Sequence, residues 1–176
     1  MTSTFRLPAL AALAATGALG LAAAAAPATS MTPAPPKITA KGVGQITLGA
    51  RYKTLRAAHL LGPIGAGCEL AGPQARSARL VAPLKGSVDF TMTNIRRVAT
   101  ITVGGGAKAR GVGIGATRSR VKQQFPKVVF DHGIETTAGV TIARIPKSGG
   151  GRLEFAIDTT SKKVTLIGIP RIPICD

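Results

Sequence analysis

The chain has 176 residues, 45% hydrophobic but only 3% aromatic, and its 23 Lys and Arg face 7 Asp and Glu for a net charge of +16. That length suits one domain behind a leader, and a domain of this size buries enough surface to fold without a metal staple. No cationic run is longer than Arg96-Arg97 or Lys162-Lys163, which argues against a single basic tract.

The first segment reads as an export signal. Met1 to Arg6 carries one cation, Leu7 to Ala26 is uncharged and rich in Ala and Leu, and Ala26-Pro27-Ala28 supplies small residues for cleavage. Residues 1–28 are therefore predicted as a signal peptide, with a mature start near Thr29. The competing reading is an uncleaved anchor, since about 20 apolar residues can just span a bilayer. Alanine favours the membrane weakly, and no basic stop-transfer cluster follows Ala28, so cleavage is the better expectation. It implies a secreted or wall-associated protein. With Arg6 removed, 22 cations remain against 7 carboxylates, a net of +15. Residues 29–41 hold Pro33, Pro35 and Pro36 and are expected to form a Pro/Thr-rich extended spacer outside the core.

Cys68 and Cys175 are the two cysteines. An even count behind an export signal reads as a disulfide, although two unbridged buried thiols are the alternative. A bridge closing a loop of roughly 100 residues contributes up to about 4.7 kcal/mol in the chain-entropy account.

Residues 42–176 show an internal spacing near 66 residues. Leu48-Gly49-Ala50 falls on Ile114-Gly115-Ala116, Leu55 on Val121, and Ile101 and Val103 on Ile167 and Ile169. Val88-Asp89-Phe90 matches Leu153-Glu154-Phe155 after a one-residue slip. The reading is two units, about 42–105 and 108–170, with a tail at 171–176. Each opens on a Gly-containing turn and a short helix. The first helix is predicted from Ala50 to Leu61, stopped by Gly62-Pro63. The second is capped by Thr117 and ends before Pro126. Leu55, Ala58 and His59, and Val121, Gln124 and Phe125, give each helix one core-facing stripe. Arg51, Lys53 and Arg56, with Arg118, Arg120 and Lys122, occupy most of the remaining surface and form the candidate basic surface. Strands are predicted around Val88–Met92, Val98–Val103, Val140–Ile145, Leu153–Ile157 and Val164–Ile169, with turns near Asn94 and at Gly149-Gly150-Gly151. The expected fold class is α+β: two tandem helix-plus-antiparallel-sheet repeats forming one small domain.

Gly115-Ala116-Thr117-Arg118-Ser119-Arg120-Val121 fits the G-x-T-x-x-x-V pattern that opens helices in the BamE-like (SmpA/OmlA) outer-membrane assembly family. Gly49 to Leu55 fits it in part, with Arg51 in place of Thr and Leu55 in place of Val. Leu61-Gly62-Pro63 is similar to that family's L-G-x-P ending. Two such units in an exported chain resemble the architecture of β-lactamase inhibitory proteins, and the Ala/Gly/Arg-rich usage is similar to that of actinobacterial secreted proteins. The resemblance implies a tandem α+β fold. For function it implies either envelope association or inhibition of an extracellular enzyme. The lipid-bearing Cys of the first family is missing, as are the exposed aromatics and paired disulfides of the second, so no binding residue carries over.

Catalytic groupings are sparse. Gly111-Val112-Gly113-Ile114-Gly115-Ala116, with Asp131 beyond it, superficially fits a dinucleotide fingerprint. That motif needs a βαβ unit, which an antiparallel sheet does not offer, so no cofactor is expected. No G-x-S-x-G elbow occurs. His59 is predicted as a partly buried packing residue, and Asp131, His132 and Glu135 in one loop read as a tight turn rather than a metal site. Nucleic-acid binding lacks stacking aromatics, because Phe90 and Phe155 fall on core strand positions. The sequence therefore points to a noncatalytic secreted binding module, without metal or cofactor, whose partner is an anionic envelope polymer or an acidic extracellular protein. The alternative is a secreted inhibitor of an extracellular enzyme.

Overall fold

The computed structural model describes residues 34–148 and 151–173. The leader, the start of the spacer, Gly149-Gly150 and Cys175 lie outside the described residues. The compact unit of the fold begins at Ala34.

Three two-residue strands open it: β1 (Ile38–Thr39), β2 (Gly42–Val43) and β3 (Ile46–Thr47), paired antiparallel in that order. Ile38, Val43 and Ile46 are all buried. Ile38 thus joins the core although the spacer was expected to stay outside it, because its N–H is held by the Lys108 carbonyl at 2.8 Å. Helix α1 (Tyr52–Ala57) follows and buries Leu55. It is shorter than the predicted Ala50–Leu61, because His59 turns into the left-handed region at φ 55°. Ala58 and His59, expected on the core stripe, are exposed.

The remaining strands are β4 (Leu61–Ala66), β5 (Arg76–Leu80), β6 (Lys85–Phe90) and β7 (Val98–Gly105). After helix α2 (Arg118–Gln124) come β8 (Val129–Asp131), the single turn α3 (Glu135–Ala138), β9 (Val140–Ser148), β10 (Gly151–Asp158) and β11 (Val164–Ile169). A 3-10 turn (Glu69–Ala71) lies between β4 and β5. All eight of these strands form one antiparallel sheet in the order β4-β5-β6-β7-β11-β10-β9-β8.

This architecture corrects the predicted fold class. The chain is mostly β, with eleven strands in two antiparallel sheets and three helices of 6, 7 and 4 residues among the described residues. It is not α+β, and it is not a pair of helix-plus-sheet repeats. Two causes are visible. Helix α1 is truncated early, while α2 keeps its predicted bounds, and Gly62-Pro63, read as a helix stop, lies inside edge strand β4. Proline has no N–H to offer a ladder and is tolerated at such an edge. The register shifts there, between Leu61 and Ile64.

The 66-residue spacing does have a physical counterpart within the larger sheet. Gly49 N–H donates to the Val98 carbonyl and Gly115 N–H to the Val164 carbonyl, each at 2.8 Å. Val98 N–H donates to Ala50 (2.9 Å) and Val164 N–H to Ala116 (2.8 Å). At the seam between β7 and β11, Thr102 faces Gly168, flanked by Ile101 opposite Ile169 and Val103 opposite Ile167. The spacing is therefore a property of one continuous sheet, with four strands on each side of that seam.

Strand alternation sorts the faces. Ile101, Val103, Phe155, Ile167 and Ile169 have no exposed surface, and they share one core with Leu55, Val121, Val43 and Ile46. In α2, Val121 and Phe125 are buried as predicted, and Phe125 packs on Phe155 with ring centroids 5.4 Å apart. Thr117 caps α2, its Oγ1 accepting the Arg120 N–H at 3.2 Å. The opposite face carries the aligned row Ser87, Thr102, Gly168, Glu154 and Arg144. Among the described residues no helix is long and apolar enough to cross a membrane.

Candidate functional site

The six predicted cations lie on the two helices. Arg51, at the N-cap position of α1, and Lys53 are exposed. Arg56 Nη1 donates to the Leu61 carbonyl at 2.8 Å. On α2, the Arg118 guanidinium lies 4.1 Å from the centre of the Phe130 ring, and Arg120 Nη1 donates to Gln123 Oε1 at 2.6 Å. Lys122 Nζ donates to the Pro126 carbonyl at 3.2 Å. Arg118 and Lys122 meet at one shallow hollow with Phe130, whereas Arg51, Lys53 and Arg56 stay with α1.

The carboxylates are engaged elsewhere. Asp131 pairs with Arg144 at 2.5 Å, and Glu154, buried, lies 3.4 Å from the same guanidinium and 4.0 Å from Arg152. Glu154 also accepts the Ile172 N–H at 3.0 Å. Glu135 accepts from the Thr141 hydroxyl and lies 2.6 Å from His132 Nδ1, contacts that hold its pKa below the usual carboxylate range. Asp158 is held low in the same direction by the Ser161 backbone N–H and then its hydroxyl. Asp89, on β6, is pushed up by burial. Among the described residues, ion pairs reach only Arg144, Arg152 and His132, and none of the six helix cations has a carboxylate partner.

Asp131, His132 and Glu135, read from sequence as one loop, are divided between the end of β8, the connection after it and the start of α3, and they face different partners: Asp131 binds Arg144 and the Gly133 N–H, while His132 and Glu135 bind each other. No group of three metal ligands occurs among the described residues. The Gly111–Ala116 turn is closed by reciprocal hydrogen bonds between Ala109 and Val112, and it enters α2 from an antiparallel sheet rather than a βαβ unit. Cys68 precedes the 3-10 turn and is half-buried. Its expected partner Cys175 lies outside the described residues.

One cavity was not read from the sequence. It is an open cleft of about 1020 Å³ beside β1, where Ile38, Phe125, Ile145 and Leu153 make an apolar floor. Lys37, Lys108, Arg110 and Lys127 stand around it, all exposed, with no carboxylate among the lining residues. Arg110 lies 5.4 Å from the centre of the Phe125 ring. Lys37 and Lys108 are direct bridge partners where the chain entering β1 runs parallel to the segment after β7. Five separated segments build this cleft, so no local motif could announce it. The nearest signal was Phe125 at the end of the α2 stripe.

No family model, curated protein or solved structure matches this chain. The BamE-like and inhibitor resemblances therefore stand on their short sequence motifs alone.

Proposed function

We propose that this chain is an exported, noncatalytic binding module that associates through a basic surface with anionic cell-envelope material. The observation that carries the reading is the set of helix cations, Arg51, Lys53, Arg56, Arg118, Arg120 and Lys122, none paired to a carboxylate among the described residues. Their contacts are to backbone carbonyls, a ring and a neutral amide, so their full charge stays available to an outside anion. Export rests on the leader composition, and a Cys68–Cys175 bridge belongs to the same reading.

The test uses long-chain polyphosphate and a sedimented envelope fraction as probes. Replacing the six cations with Gln is expected to weaken binding at least tenfold at low salt and to leave the circular dichroism spectrum unchanged. Unchanged binding would remove the proposal. Salt-tolerant, saturable binding of one extracellular protein, in place of polyanion binding, would favour the inhibitor reading instead.

A further inference from the structure

The cleft beside β1 goes beyond that reading, because its apolar floor has no use for a wholly charged polymer. We infer that it binds a single-chain anionic amphiphile, a long-chain carboxylate, with the acyl chain on the floor and the head among the cations.

Size comes first. At about 1020 Å³ the cleft sits at the upper end of the roughly 300–1,000 Å³ range of small-molecule sites, room for a long chain rather than a small ion. Ile38, Phe125, Ile145 and Leu153 offer that chain apolar contact, and Pro35 and Pro146 extend the wall. Charge then selects the head. Lys37, Lys108, Arg110 and Lys127 surround the apolar floor with one sign only, a field that favours an anion over a neutral or cationic ligand.

Two other occupants fit less well. Residues 1–33 are apolar enough to lie on the floor but contain no Asp or Glu, so they would leave all four cations unanswered. A second copy of the chain, at +16, would meet this rim with like charge. Neither satisfies both halves of the cleft, and a fatty carboxylate does.

The full chain, stripped of bound lipid, would be titrated calorimetrically with dodecanoate, hexadecanoate and hexadecanol below their aggregation concentrations. Saturable one-to-one binding is expected, tighter for hexadecanoate than for dodecanoate and several-fold weaker for the alcohol. Converting Lys108, Arg110 and Lys127 together to Gln should weaken hexadecanoate roughly three- to tenfold, as expected for a few partly solvated ionic contacts. Arg51→Gln with Arg56→Gln on α1 should leave it unchanged, which separates this site from the polyanion surface. Equal affinity for acid and alcohol, or indifference to the rim variant, would overturn the inference. So would binding that requires vesicles. A photo-crosslinker at the exposed Pro146 identifies the occupant: a lipid adduct supports the site, whereas adducts to residues before Ala34 or to a second copy overturn it.

Discussion

At the scale of single residues, Asp89 is the carboxyl whose surroundings oppose its ionisation. It sits half-buried on β6, opposite Ser77 on one neighbouring strand and Thr100 on the other. Burial raises its pKa above the ordinary 3.8, and no ion pair among the described residues offsets that burial. A carboxyl that binds its proton more tightly in the folded state disfavours folding once ionised. The penalty is absent below the unfolded value of 3.8 and complete above the raised one. Asp89→Asn is therefore expected to raise the thermal midpoint at neutral pH and to lose that advantage near pH 3, as scanning calorimetry at the two pH values would show. Glu135 runs the other way. Its lowered pKa gives a contribution present above the ordinary 4.5 and lost as pH falls through the folded value, but its exposure keeps the effect small.

At the scale of elements, the junction of β11 with the tail fixes how the open face of the sheet is covered. Gly168 stands opposite both Thr102 and Glu154. A Cβ there would collide with the Arg171 carbonyl group and lie 2.5 Å from Ile172 N, all backbone atoms. Only glycine lets the chain fold back closely enough for Ile172 to donate to Glu154. Gly168→Ala is expected to cost about 1–3 kcal/mol, the usual range for overpacking a filled site. The urea midpoint would report the loss, and faster amide exchange at Ile172 would locate it in the tail. This close approach was invisible in the sequence. The strands themselves were largely legible: period-2 patterning placed β7, β9, β10 and β11, and Thr117 announced the α2 cap, but β6 starts at Lys85 and ends at Phe90, leaving Met92, expected on its apolar face, exposed beyond it. The sequence pattern could not distinguish a helix stop from an edge strand at Gly62-Pro63, and that ambiguity inflated α1 and the helical content. The cleft was hidden for a different reason. Its residues come from 34–40, 108–111, 125–127, 145–146 and 153, segments that only the pairing of Lys37 with Lys108 and of β9 with β10 brings together.

At the scale of the whole molecule, the two proposed modes of anion capture should respond differently to salt, because different forces dominate each. The helix cations act on a polyanion through charge alone. Raising salt from about 0.01 M to about 0.15 M shortens the Debye length from roughly 30 Å to roughly 8 Å and screens most of that attraction. A carboxylate in the cleft loses part of its head-group attraction over the same range, but its chain remains buried against Ile38, Phe125, Ile145 and Leu153. Apolar burial does not depend on screening. Polyphosphate affinity is therefore expected to fall more than tenfold across this interval while hexadecanoate affinity falls only a few-fold, both measured by calorimetry on the same preparation. Parallel losses would mean that the rim of the cleft and the helices act as one undifferentiated field, and that the apolar floor adds nothing to binding. Divergent slopes would show the net charge serving two separable purposes: helix cations that gather the protein onto an anionic surface, and four rim cations that orient an amphiphile drawn from it.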